Sequence, residues 1–297
     1  MFDLIKHKKI FIGCSALLMV LAAISIAVFG FQLGIDFSGG TLWQIKFTEK
    51  AVSAPELEIF LKDKLGLENF LVTADSSNTI FLIRVQELNE AEHQAYLTEL
   101  NSNFGTVEEL RFESIGPTVG RELSNKALWA FVLVLFGISL YIAFAFRKVS
   151  HPVSSWKYGV ITLISLFHDA LIPAGFYALL GHIKGAEMDT YFIVAILVIM
   201  GFSVHDTIVV FDRIRENLIV KKGKTLGEII NISVNQTFVR SINTSLTLVL
   251  VLVALYLFGS GVLSYFVLTI LIGTVFGTYS SIFVASPLLT YMQQRKK

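Results

Sequence analysis

Asp206 lies within Tyr191–Phe211, a run otherwise apolar enough to cross a bilayer, and Arg240 opens the next apolar run. An ionisable group at membrane depth costs at least ~2.5 kcal/mol, so such groups face protein or water and mark ion pathways. Counting inward from the same side at a rise of about 1.5 Å per residue, Asp206 lies ~22 Å deep and Arg240 ~27 Å deep. Roughly one helical turn separates them, so a pair, direct or through water, is feasible. Arg240 keeps its charge and Asp206 can be protonated. An aspartate beside a permanent cation is a proton switch, because its charge sets the attraction between two helices. Two plainer readings compete. Ser, Thr or Asn neighbours would hold Asp206 for packing alone, or Arg240 would snorkel to the interface.

Further polar residues recur at helical spacing in the other apolar runs. The third run carries Tyr158, Thr162, Ser165 and Asp169, flanked by His168. The fourth presents Ser203, Asp206 and Thr207 beside His205, and the fifth Arg240, Asn243, Thr244 and Thr247. The sixth places Gly273, Gly277, Ser281 and Ala285 four apart, a small-residue stripe suited to close, dimer-like helix contact. A polar interior is therefore expected, lined by His205, Thr207, Ser203, Asp169, Asn243 and Thr244. Adjacent residues on a helix point ~100° apart, so His168-Asp169 and His205-Asp206 each offer one good ligand at most. No metal or cofactor is expected, and no nucleophile motif suggests an enzyme.

These residues sit in a membrane protein: 54% of the 297 residues are hydrophobic, 16% are charged, and mean hydropathy is +0.67. A net charge of +1 suggests no nucleic-acid partner. Six runs reach the ~20 residues that a hydrocarbon core requires. They are Ile10–Phe29, Ala127–Phe146, Trp156–Leu180, Tyr191–Phe211, Arg240–Phe258 and Val262–Met292. The first is longer than a signal-peptide core and reads as an uncleaved anchor. The single cysteine, Cys14, lies within it and cannot form a disulfide inside the chain.

Basic residues set the orientation. With a cytoplasmic N-terminus, Lys6, Lys8, Lys9, Arg147, Lys148, Lys157, Arg213, Arg215, Lys221, Lys222, Lys224, Arg240, Arg295, Lys296 and Lys297 all fall on the cytoplasmic side. The short opposite loop Gly181–Asp189 carries only Lys184, and Gly259–Gly261 carries no basic residue. The expected organisation is an N-terminus and first helix (1–30), an extracytoplasmic domain (31–125), a five-helix bundle (126–292) and a basic tail (293–297).

The 31–125 segment reads as α+β. Leu42–Phe47, Phe70–Thr73, Ile80–Val85 and Val107–Glu113 are strand-like, with an Asp75-Ser76-Ser77-Asn78 turn between the middle pair. Ser53 with Glu56, and Asn89 with Glu92, cap two helices that stop near Gly66 and Gly105. The order β-α-β-β-α-β is that of a ferredoxin-like fold. Its one histidine, His93, reads as solvated. The Gly34–Gly40 stretch lacks the Lys-Ser/Thr of a nucleotide loop, so its glycines serve a tight chain passage.

Several strings resemble the SecD/SecF family of the resistance-nodulation-division superfamily, on its SecF side. They are Asp36-Phe37-Ser38-Gly39-Gly40-Thr41, Gly116-Pro117-x-x-Gly120-x-x-Leu123, Gly201–Glu216, Arg240–Ser245 and Gly277–Phe283. The resemblance implies a pseudosymmetric twelve-helix unit with SecD in the bacterial inner membrane, beside the SecYEG channel. It implies use of a proton or sodium gradient in late, ATP-independent preprotein export, with Asp206 and Arg240 as the proton relay. The family pattern has Asn where this chain has His205. A related ion-driven exporter of lipids or small molecules, and a membrane enzyme using Asp169 or Asp206, are the competing readings.

Overall fold

The computed structural model describes residues 3–75, 79–147, 153–259 and 263–293. Three residues of the expected 75–78 turn, Lys148, Ser260 to Val262 and the Arg295–Lys297 cluster lie outside them. The chain forms two compact units, Met1–Gln32 with Leu128–Lys297, and Leu33–Ala127.

In the smaller unit, β1 (Gly40–Phe47), β2 (Leu71–Ala74), β3 (Ile80–Val85) and β4 (Val107–Ile115) form one sheet in the order β2-β3-β1-β4. Every neighbouring pair is antiparallel. Period-two alternation explains the core: Trp43, Ile45 and Phe47 of β1 and Phe81, Ile83 and Val85 of β3 are buried. Leu57, Phe60 and Leu61 of α2 (Ala54–Asp63) and Leu100 and Phe104 of α3 (Glu90–Phe104) complete it. Ser53 Oγ accepts from Glu56 N at 3.3 Å, and Asn89 with Glu92 forms a full capping box. Each cap is worth about 1 kcal/mol.

His93 departs from expectation. It is 4% exposed, stacked on Phe112, and its Nε2 lies 2.5 Å from Glu109 Oε2, which also accepts from Trp43 Nε1. A lone histidine in a polar helix looks solvated because its partners, Glu109 and Phe112, lie on another element that only the fold brings beneath it.

The glycine motif has a steric origin. Gly39 (φ 76°) and Gly40 (φ 117°) occupy backbone regions that L side chains avoid. A Cβ at Gly39 would meet Pro117 Cα at 2.8 Å, and one at Gly120 would lie 3.1 Å from Phe37 O. Two strings distant in sequence are thus one packed corner.

Among the described residues, six spans, each a helix or a helix pair, are long and apolar enough to cross a membrane. They are α1 (Lys8–Phe29), α4 (Pro117–Ala145), α5 (Ser155–Lys184), α6 (Thr190–Val220), α7 (Leu226–Phe258) and a final span. The final span is α8 (Ser264–Ser280), a π turn (Ser281–Ala285) and α9 (Ser286–Tyr291). Burial sorts them. The apolar windows of α5 and the final span are 56% and 61% buried, against 11% for α1 and 17% for α4 and α7. The centre is therefore α5, α6 and the final span.

Two spans begin well before their expected limits. The Thr225–Glu228 capping box starts α7 at Leu226, so Arg240 lies mid-helix. Pro117, pre-set for a first helical turn, starts α4 ahead of Ala127. The final span is interrupted because Pro287 lacks an N–H and crowds the carbonyl four residues back, and the chain relaxes into a π turn.

Close approach fixes the helix pairs. A Cβ at Gly175 would sit 2.4 Å from Ala22 Cα, and Ser25 Oγ donates to Gly175 O at 2.7 Å. A Cβ at Gly273 would meet Ile199 at 2.3 Å, and one at Gly277 would meet Ser203 Cβ at 3.0 Å. The small-residue stripe of the final span, with fully buried Ala285, is therefore spent inside the chain, largely on α6, and not on a dimer contact. Asp3 with Asn231, Lys8 Nζ with Thr290, and Lys157 Nζ with Met292 O bring the chain start, the starts of α5 and α7 and the end of α9 to one side.

Candidate functional site

Asp206 is 5% exposed, and both its oxygens are occupied. Oδ1 accepts from Ser241 Oγ of α7 at 2.6 Å, and Oδ2 from Ser281 Oγ of the π turn at 2.5 Å. The carboxylate thus ties three spans together. Ser281, expected as a packing residue, is one of its two hydrogen-bond donors.

Of the Asp206–Arg240 pair, direct or through water, no direct contact is present among the described residues. Among the described residues Asp206 has no ion pair, and Arg240 is exposed. Helical phase decides: Ser241 faces Asp206, and the residue before it points about 100° away. Asn243, Thr244 and Thr247 share Arg240's exposed side, and His205 is exposed on α6. These expected lining residues form an outer polar surface instead. Ser203, Thr207 and Asp169 do lie in the interior.

Asp169 is the second buried acid, with no exposed surface. Its Oδ1 lies 2.7 Å from His168 Nδ1. Its Oδ2 accepts from Ser203 Oγ of α6 and from Ser280 Oγ of α8, the latter at 2.7 Å. Ser203 and Asp206 lie one turn apart on α6, and Ser280 and Ser281 are adjacent, so the same two elements serve both acids. Ser245 Oγ and Thr278 Oγ1, 2.5 Å apart, extend the hydroxyl lining. Buried Ser165 Oγ, His168 Nε2, Thr207 Oγ1 and Thr274 Oγ1 have no partner among the described residues. Buried polar groups are rarely left so, and internal water commonly supplies the missing bonds.

Ser241, Ser245 and Ser280 were missed. The signal was present: Ser233, Thr237, Ser241 and Ser245 put a hydroxyl at every fourth position of α7, and all four are buried. The more conspicuous Arg240 stripe lies on another, exposed face of the same helix.

Six apolar helices around two buried carboxylates, with an α+β unit inserted after the first, define a polytopic membrane protein with an ionisable interior. Residues 95–295 match the family "Protein export membrane protein SecD/SecF, C-terminal", and residues 24–51 match its "GG Motif". The chain belongs to the SecD/SecF family. It is 45% identical to the "Protein translocase subunit SecF" of Thermobaculum terrenum, over 99% of this chain and 95% of that one. For the protein of the same name from Sebaldella termitidis, identity is 40% over 99% and 92%. The crystal structure of SecDF, "a translocon-associated membrane protein", from Thermus thermophilus aligns at TM-score 0.81 and 34% identity. That alignment covers 98% of this chain, which spans only 38% of the solved one.

Proposed function

We propose that this chain is a SecF-type subunit of the Sec translocase accessory complex, coupling ion movement at Asp206 to late, ATP-independent preprotein export. The observation that carries the reading is the Asp206 carboxylate, buried among three spans and held by hydroxyls alone. Intramembrane carboxylates of this kind mark ion pathways, and water access would let Asp206 exchange a proton. The membrane field adds ~2.3 kcal/mol per charge per 100 mV crossed.

A SecD partner follows from the outer polar surface. Arg240, Asn243, Thr244, Thr247 and His205 would face lipid in an isolated chain, which membrane helices avoid. A SecD subunit covering α6 and α7 supplies them with polar contacts and brings Arg240 into the relay. The relatives named SecDF, of whose length this chain covers 39% in one Thermus thermophilus case, support that pairing. SecYEG and the preprotein are the further proposed partners, and the proposed role is not enzymatic. The basic side of the bundle is assigned to the cytoplasm of a bacterial inner membrane, with both termini there. The smaller unit then lies outside it. Its strand order β2-β3-β1-β4 and two helices support a ferredoxin-like fold.

The test is gradient-dependent preprotein export in vesicles carrying this chain, SecD and SecYEG. Asp206→Asn and Arg240→Met are expected to abolish the gradient-dependent part and spare the ATP-driven part. Full gradient dependence in both variants would refute the relay.

A further inference from the structure

We propose that Asp169, with His168, Ser203 and Ser280, is a second proton-binding site in the bundle, able to change charge without any helix moving. This deepens, and rests on, the reading of Asp206 as a proton carrier.

The first observation is the chemistry of the His168–Asp169 pair. With Asp169 ionised, its 2.7 Å contact needs the proton on His168 Nδ1. That leaves Nε2 as a lone-pair acceptor, and this atom is buried and without a partner. A proton arriving at Nε2 allows the Nδ1 proton to pass to Asp169 Oδ1. Before the step there is a neutral imidazole, an anionic carboxylate and one incoming proton. After it there is a neutral imidazole of the other tautomer and a neutral acid. Unpartnered Ser165 Oγ lies one helical turn before Asp169 on α5, where water would be held for delivery.

The second observation is a pair of hydroxyls with two acceptors each. Ser280 Oγ lies 2.7 Å from Asp169 Oδ2 and 3.0 Å from Gly277 O. Ser281 Oγ lies 2.5 Å from Asp206 Oδ2 and 3.0 Å from Thr278 O. One hydroxyl carries one proton, so it serves one acceptor at a time. Facing an ionised acid, it donates to the carboxylate. Facing a protonated acid, it turns to the helix carbonyl and accepts. Both charge states are then hydrogen-bonded, which a buried group requires.

The surroundings fit. The groups facing Asp169 are His168 on its own helix, Ser203 on α6 with Asp206 a turn beyond, and Ser280 on α8. On α1, which packs against α5, Cys14 is exposed. Among the described residues neither acid pairs with Lys or Arg.

The test is pH-difference infrared spectroscopy of the purified full chain in lipid, reading the carboxyl C=O bands. Wild type should show two titrating bands from the interior, one lost in Asp206→Asn and the other in Asp169→Asn. Ser280→Ala keeps the acid while removing a donor to its charged form. It should move the Asp169 band to higher pH by about one to two units. Should Asp169→Asn fail to fold, the Ser280→Ala shift decides alone. No Asp169-dependent band, or a band that Ser280→Ala leaves in place, overturns the proposal. Because no partner or export is needed, this outcome is separable from that of the Asp206 reading. Loss of export in Asp206→Asn without an Asp169 band sinks only the second site. An Asp169 band with normal export in Asp206→Asn sinks only the coupling function.

Discussion

Ser281 shows how far one hydroxyl reaches in an apolar interior. It is one of two donors to Asp206, and hydrogen bonds to charged groups are worth about 1.5–3 kcal/mol. Ser281→Ala should slow gradient-driven export several-fold with unchanged ATP-driven export, and Ser281→Thr should restore much of the loss. Equal export in all three proteins would show that Ser281 serves packing only. Outside the membrane, Asp3 accepts from Asn231 Nδ2 at 2.7 Å, and this bond, with Lys6 N, holds its carboxyl below the usual carboxylate range. A depressed folded value means that stabilisation is present above the unfolded value and lost as pH falls through the folded one. Hydrogen exchange of the N-terminal segment should therefore rise only at strongly acid pH, and Asp3→Asn should remove that pH dependence. Asp206 itself was legible in the sequence, because a carboxylate inside an apolar run is conspicuous. Its partners were not. Which neighbour faces it depends on a 100° step per residue, and depth along the membrane normal carries no phase. That is why Arg240 was paired with it and Ser241 overlooked.

At the level of elements, the helix pairs rest on absent side chains. Gly175 faces backbone atoms of Ala22, whereas Gly273 faces the side chain of Ile199. Overpacking costs about 1–3 kcal/mol, less where a side chain can repack. Gly175→Ala should lower the unfolding midpoint in detergent more than Gly273→Ala does, and the reverse order would contradict this packing. In the α+β unit, His93→Ala removes the bond to Glu109 and the stack on Phe112 that pin α3 to β4. It should raise protease sensitivity at α3, while His93→Lys should not rescue it. The strands and capped helices of this unit were readable because Ser53, Asn89 and the alternation of β3 act locally. The π turn was not. The sixth run reads as one continuous span, and only the packed bundle decides whether a helix kinks, ends or widens at Pro287.

For the whole molecule, the decisive feature is a polar surface left uncovered on α6 and α7. Replacing Asn243 and Thr247 together by Leu makes that face suit lipid and should weaken recovery of the complex with SecD. Interhelical polar contacts are worth up to about 2 kcal/mol in membranes, so a measurable loss is expected. Unchanged recovery would place the partner elsewhere. His205 is exposed on α6, and His205→Asn should retain export with a shifted pH optimum. The proposed coupling requires that Asp206 carry the transported charge. The most direct measurement is proton flux driven by a membrane potential through vesicles holding this chain with SecD. The account predicts that Asp206→Asn reduces the flux to that of protein-free vesicles while the complex stays assembled. Wild-type flux through an assembled Asp206→Asn complex would contradict it.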